Sequence, residues 1–541
     1  MRPTALATAL ASEGLPSRIW QKDTTMFAPA DAPPDIHAGI RDRLGWLTVP
    51  AQAAAGIPDL HDFADEVRHD GLTDVYLLGM GGSSLGAEVL RDVAAPPAAE
   101  GRLVVLDTTD EKIIRAVTDR LAPERALFLV SSKSGTTIET SALERHFRRL
   151  MKDSVGAATG RHFVAITDPG TPFVSLAEKQ GYRHAFINPP DIGGRYSALS
   201  LFGLVPAAVL GIDLPGLLMS ATSMTDDCRP DTDTNPGLAL GAFMAQSASS
   251  GHDKLTLLLS PTLRPLGAWI EQLVAESTGK DGQGVLPIVD EPLGKPSEYG
   301  PDRAFVGVVS DDGGEELAKT LTAFKRAGFP VFRVDTGPEA LGAEFFRWEF
   351  ATAVAGAALG INPFDEPNVR DAKQRTQAQL DRRRARGAFG IQPPFEKGRG
   401  YSRRESRPET PPARTGRFVA ILDYLPADPG RIEMITRLRG ALRRRAGTAT
   451  TYGVGPRYLH STGQYHKGGP NTGVFLLLTA ADAGATPIPG TDYSFSTLKQ
   501  AQALGDFEAL AAAGRHVVHY HIDDPLADSS PELERVLKSF T

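Results

Sequence analysis

The sequence predicts an α/β protein in which two doubly wound parallel sheets are followed by a smaller C-terminal α/β domain. Three observations carry that expectation. Short apolar runs without alternation, such as V-Y-L-L at 75–78 and L-T-L-L-L-S at 255–260, recur between helical patterns, as buried parallel strands require. Several runs end in turns rich in glycine and hydroxyl residues, the place where α/β sheets bind ligands. The 541 residues are also too many for one core, and the usual domain size gives roughly three or four domains.

Taken in order, residues 1–70 read as a leader of short helices with Trp20, Phe27, Trp46 and Leu47 as anchors onto the first domain and no chemistry of its own. Residues 71–250 form the first sheet domain, with strands at 75–80, 103–108, 126–132, 162–168 and 184–189. Residues 251–382 form the second, with strands at 255–260, 285–289, 304–310 and 331–335, a helix over 313–327 and a long Ala/Gly-rich helix before 360. Two such domains leave a crevice of the kind small ligands favour. At 383–416 the composition turns to Arg, Pro and Gly, which reads as a linker or surface loop. Residues 417–541 then show strand, helix, strand, strand, helix and strand at 417–424, 431–445, 448–454, 473–479, 496–513 and 515–522. That order admits a ferredoxin-like layer.

Composition narrows the class. A net charge of −7 gives no electrostatic footprint for nucleic acid, and the basic linker lacks interleaved aromatics. The lone Cys228 excludes an internal disulfide framework and a cysteine-rich metal site, and it suits a reducing cytoplasm. No apolar run reaches ~20 residues, so no transmembrane helix and no membrane partner are expected, and the N-terminus lacks a secretory core.

Five stretches carry chemistry. G-M-G-G-S-S-L-G at 79–86 is a strand-to-helix turn where peptide N–H groups, the helix dipole and the hydroxyls of Ser83 and Ser84 would converge on a phosphate; a glycine turn for close strand–helix approach fits it equally. A dinucleotide turn fits less well: Asp107 lies at a distance suited to a ribose, but the serines favour a monophosphate. S-K-S-G-T-T-I-E-T at 132–140 offers neutral donors and one cation at a neighbouring strand end, beyond what helix capping alone asks for. In D-I-G-G-R-Y-S, Arg195 follows a glycine turn, where a permanent cation either holds a developing oxyanion or sits on the surface. Leu266, Trp269, Ile270, Leu273 and Val274 form a helical stripe with half-buried Gln272 and Glu276 on its edge, where desolvation can move the Glu276 pKa toward that of a general base; a simply solvated Glu at a helix end is the alternative. Finally, Asp365 and Pro367 mark a helix start on which Glu366 and Lys373 share a face, as a surface ion pair also would.

In this order the blocks G-M-G-G-S-S-L-G, S-K-S-G-T-T-I-E-T, G-G-R-Y-S, Q-L-V-A-E-S-T-G-K and I-N-P-F-D-E-P-N-V-R-D-A-K resemble the glucose-6-phosphate isomerase family, in the sugar isomerase domain superfamily, over about 72–373. The leader W-Q-K-D-T-T-M-F and the tail G-P-R-Y-L-H-S-T-G-Q-Y-H-K-G-G-P look like the isomerase half of transaldolase/isomerase fusions. The resemblance implies two sugar isomerase domains and interconversion of glucose 6-phosphate and fructose 6-phosphate through a cis-enediol, without metal or organic cofactor. By motif it implies that Gly82, Ser83, Ser132, Lys133, Ser134, Gly135, Thr136 and Thr137 hold the sugar phosphate. Glu276 would carry the proton, Gln272 orient the sugar, Arg195 stabilise the enediolate, Lys373 assist ring opening and Glu139 support it.

Two departures stand out. The family's ring-opening histidine falls where this chain has Arg303, which cannot shuttle a proton, and Glu366 replaces the usual glutamine. The third domain is therefore expected to supply the histidine, as His460 or His466; surface histidines on a loop are an equal reading. Relatives complete each site across a dimer, so a domain doing this within one chain leaves monomer and homodimer both open. Competing readings are a sugar-phosphate-binding regulator and an isomerase that also accepts mannose 6-phosphate.

Overall fold

The computed structural model describes residues 4–99, 101–390, 396–398, 400–407, 416–481 and 484–523. The first sheet contains β1 (Asp74–Leu78), β2 (Leu103–Leu106), β3 (Ala126–Ser131), β4 (Phe163–Thr167) and β5 (His184–Ile187) in the order β2-β1-β3-β4-β5, parallel throughout. Every residue of β3 is buried, which is why its sequence shows no alternation. Helices α1 (Leu85–Ala94) and α2 (Ile138–Val155) leave the C-terminal ends of β1 and β3, so the two hydroxyl-rich turns are neighbours at one sheet edge.

The second sheet is parallel too, with β6 (Lys254–Leu259), β7 (Leu286–Ile288), β8 (Arg303–Val309) and β9 (Val331–Asp335) in the order β7-β6-β8-β9. Helix α3 (Leu266–Thr278) buries its predicted stripe, and Trp269 meets Phe345 edge-on at 4.8 Å on helix α4 (Leu341–Leu359). Helix α5 (Pro367–Arg386) follows.

Three features differ from the sequence expectation. The third sheet, β10 (Glu396–Gly398), β11 (Tyr401–Ser406), β12 (Phe418–Asp423), β13 (Ala449–Val454), β14 (Gly473–Ala480) and β15 (His516–Ile522), runs β10-β11-β15-β14-β12-β13. Its strands β13, β12, β14 and β15 are parallel, not the antiparallel layer of a ferredoxin-like unit. Each link between them carries a helix, α6 (Pro429–Ala446), α7 (Gly463–Gly468) or α8 (Phe495–Ala512), and a helical crossover returns the chain in the same direction.

The stretch 383–416 is likewise not a bare linker: α5 continues to Arg386, and β10 and β11 add an antiparallel edge to β15. Arg403, Arg404 and Glu405 on β11 disguised it, since a run of charges does not read as a buried strand. Within the expected linker or surface loop, residues 391–395, 399 and 408–415 lie outside the described residues.

The leader, lastly, packs on more than the first domain. Trp20 stacks on Phe346 of α4 at 6.1 Å, Phe27 meets Phe364 at 5.0 Å and Trp46 stacks on Tyr196 at 5.3 Å, directly behind Arg195. Its Arg43 also lies 3.7 Å from Glu366, so the leader reaches the charges of the site. Among the described residues no helix is long and apolar enough to cross a membrane.

Candidate active site

The third unit is laid against the first by buried polar contacts. Arg457 is clamped by Glu88 and, at 3.0 Å, by Asp107, and Lys499 reaches Asp110 at 3.0 Å. These contacts bring the segment Arg457–His460 over the turn after β1, where a Cβ on Gly81 would stand 2.8 Å from the His460 carbonyl oxygen.

Glu276 sits on α3 with both carboxylate oxygens engaged. Arg195 Nη1 donates to Oε1 at 3.2 Å and Gln272 Nε2 donates to Oε2 at 3.1 Å. Burial pushes its pKa up, Arg195 pulls it down, and the neighbouring Glu366 adds to the upward push; the balance is upward. A carboxylate so placed takes up a proton more readily than a solvated one, the property a general base needs near neutrality. Glu276 is only 9% exposed, deeper than its place at the stripe's edge suggested.

Arg195 is buried and saturated with acceptors. Besides Glu276 it donates to Glu366 at 3.2 Å, to Ser277 at 2.8 Å and to the carbonyls of Pro363 and Asp365 at 2.7 and 2.9 Å. Glu366 thus pairs with Arg195 and Arg43 rather than with Lys373, and those cations outweigh its burial and hold its pKa low. Gln272 donates also to the His460 carbonyl at 2.8 Å, while its own buried Oε1 has no partner among the described residues and stands as an acceptor for a donor group.

The hydroxyl-rich turns have a division of labour the motifs did not reveal. In 132–137, Ser132 and Thr137 hydroxyls lie 3.0 Å apart and those of Ser134 and Thr136 2.9 Å apart, while Thr137 opens α2 without capping it through its side chain. The first-turn N–H groups of α2 therefore face the turn, as anion binding at a helix N-terminus requires. Gly135 has φ +62°, and a Cβ there would clash with Thr171 at 2.8 Å. Lys133 does not supply a free cation: its ammonium is held by Asp168 and by the Pro190 carbonyl at 3.1 Å.

In the other turn, Ser84 directs its hydroxyl back to the Gly81 carbonyl at 3.2 Å and is fully buried, which removes it from the set of phosphate donors and leaves Ser83. Gly82 serves packing: a Cβ would fall 1.9 Å from the Gly194 carbonyl oxygen, in the turn that carries Arg195.

Of the two histidines proposed from the tail, the structure brings one to the site. His460 Nε2 lies 2.9 Å from Glu139 Oε1, and Glu139 is buried and accepts a second bond at 2.6 Å from Gln502 Nε2 on α8. Burial works against the charge on Glu139, but His460 and Lys373 outweigh it and hold the carboxyl below its ordinary pKa. Thr109 donates to the Gln502 oxygen at 2.9 Å and completes the chain.

His466 is elsewhere, only 1% exposed on α7 against Phe475 and Tyr458, with no partner on either ring nitrogen among the described residues, and its pKa is driven far down by burial. Arg303 is buried and bound to Glu291 at 2.9 Å, a structural ion pair. Lys373 is exposed and lines a cavity of about 340 Å3 together with Thr136, Glu139 and His460.

Sequence reasoning missed Ser277, Lys280, Thr109 and Gln502. The first two lay inside a recognised block; Lys280, joined to Asp365 at 2.7 Å, has its pKa lowered to about 8 by burial and by Arg195. The other two had no local signal.

A buried carboxylate flanked by an arginine and an amide, a histidine–carboxylate pair and an uncapped hydroxyl-rich turn, set at the ends of parallel strands, define a sugar-phosphate isomerase of the two-sheet α/β kind. The phosphoglucose isomerase family profile matches residues 63–290. The glucose-6-phosphate isomerase of Rubrobacter xylanophilus is 31% identical over 372 residues, covering 59% of this chain and 85% of that protein, and that of Parabacteroides distasonis is 29% identical over 399 residues, covering 63% and 88%. A crystal structure of a glucose-6-phosphate isomerase from Chlamydia trachomatis shares the fold with a TM-score of 0.57 at 20% identity, over 71% of this chain and 86% of that one. The chain belongs to the phosphoglucose isomerase family.

Proposed function

We propose that this enzyme interconverts glucose 6-phosphate and fructose 6-phosphate by proton transfer through a cis-enediol, with Glu276 as the base. The observation that carries this reading is the placement of Glu276, buried between Arg195 and Gln272, with pKa raised by its surroundings. The phosphate rests on the hydroxyls of Ser83, Ser132, Ser134, Thr136 and Thr137 and on the open N-terminus of α2, far from the reacting carbons, so that binding energy there positions the sugar. Gln272 Oε1 receives a sugar hydroxyl. Glu276 removes the proton from C2 and returns it to C1, and the enediolate oxygen is met by Arg195, whose charge is permanent and already oriented by its carbonyl partners.

Ring opening needs a group that can exchange a proton with the ring oxygen, and here the reading assigns it to His460. Glu139 orients the imidazole through Nε2 and leaves Nδ1 for the sugar, while Lys373 assists from the cavity wall. The third unit then does in one chain what a partner subunit does for relatives. Replacing Glu276 with Gln keeps the shape and removes the base; conversion of fructose 6-phosphate in a coupled assay with a chelator present is expected to fall by about 10²–10⁴-fold. Full activity in that variant would reject the assignment.

A further inference from the structure

The 340 Å3 cavity beside His460 shares Thr136, Glu139, Lys373 and His460 with the assigned site, and none of Arg195, Gln272 and Glu276 lines it. Its polar lining includes Glu139, Lys373 and His460, and its apolar lining includes Ile138, Ala142 and Ile488. Arg145, exposed on α2 two turns beyond Ile138, lines this cavity and also a second hollow of about 460 Å3 that it shares with Arg148, Arg149 and Lys152.

The charges around the cavity do not cancel. Glu139 already receives His460 and Gln502. Arg148 is taken by Glu144, and Arg149 by Asp153 at 2.9 Å. Arg145 and Lys373 are within salt-bridge distance of no acid among the described residues, and they stand at the same cavity. Lys373 already acts on Glu139, so Arg145 is the cation left to attract an anion, and the apolar lining rewards one that brings an apolar body with it. The volume lies at the small end of what ligand sites span and holds about one substituted ring.

We infer that this cavity is a second ligand site, for a small organic acid built on a single ring, whose charged head meets Arg145 and whose body lies against Ile138, Ala142 and Ile488. Its occupant touches His460 and Lys373, so binding slows ring opening. The inhibitory part rests on the isomerase reading; the binding part does not.

Phenyl phosphate is the probe, titrated calorimetrically into the full chain. Saturable binding of one equivalent is expected, weakened at least tenfold in Arg145→Ala, a variant that retains wild-type turnover of fructose 6-phosphate. Inorganic phosphate, which lacks the ring, is expected to compete at the hydroxyl turns and to be indifferent to Arg145, and benzyl alcohol, which lacks the charge, to bind at least tenfold more weakly than phenyl phosphate. In the isomerase assay phenyl phosphate should lower kcat as well as raise KM. Inhibition that is purely competitive and unchanged in Arg145→Ala places the probe in the hydroxyl turns and overturns the proposal, as does an absence of saturable binding. Binding through Arg145 in a chain that fails to isomerise fructose 6-phosphate would leave the site standing and remove the isomerase reading instead.

Discussion

Replacing Glu366 by Gln tests the electrostatic account of the base. Glu276 and Glu366 each accept from Arg195 Nη1 at 3.2 Å, which bounds the separation of those two oxygens at twice that distance, so about 6 Å serves for the working. At that separation a unit charge raises its neighbour's protonation by about 2.8 kcal/mol at an effective dielectric of 20, and by about 0.7 kcal/mol in water. The Glu366 side chain is 25% exposed, so the effect falls between those limits, about one pKa unit. Its removal also leaves Glu276 as the carboxylate bonded to Arg195, beside the neutral acceptors Ser277, Pro363 and Asp365, which acts in the same direction. The base must be ionised to work, so activity is lost below its pKa, and the acid limb of kcat/KM should shift down by about one pH unit in Glu366→Gln. The measurement is kcat/KM for fructose 6-phosphate against pH, since that ratio reports the free enzyme. An acid limb that stays in place or moves up would refute the coupling, whatever happens to the plateau.

Three further outcomes follow from the same geometry. His460→Ala should slow turnover of the ring form of the sugar far more than that of an open-chain analogue, and equal losses on both would detach His460 from ring opening. His466→Leu should leave activity intact and change acid stability. In the fold His466 stays neutral while the unfolded chain takes up a proton below about 6.5, so its contribution to stability is lost as pH falls, by about 1.4 kcal/mol per pH unit. Urea denaturation between pH 6.5 and 5 should show a slope shallower by that one proton in the variant, and parallel slopes would contradict the burial. Sedimentation run on the active protein should show a monomer, because the histidine comes from the same chain; activity confined to a dimer would contradict this.

The parts of the site that were legible in the sequence are those built by contiguous residues. Both hydroxyl turns, the α3 stripe with Gln272 and Glu276, and the start of α5 are each fixed by spacing within about ten residues, which periodicity and capping preferences can read. What escaped depends on pairing across the chain. Gln502 and Thr109 meet at Glu139 because α8 is docked on the first domain, and no local pattern records that docking. His460 and His466 are equally polar and six positions apart; only the packing of α7 against Phe475 separates a site histidine from a core one. Lys133 shows the reverse case, a residue type suited to phosphate whose charge the fold spends on Asp168.

The missing side chain at Gly82 has a mechanical consequence. With the Gly194 carbonyl filling the space a methyl group would need, the loop proposed to hold the anion and the bend bearing the guanidinium are packed directly together, with Trp46 stacked on the adjoining Tyr196. Under the proposed reading, a tug on the sugar's charged tail would be felt at the oxygen undergoing reaction, and even an alanine at this position would be expected to loosen both ends of the substrate together.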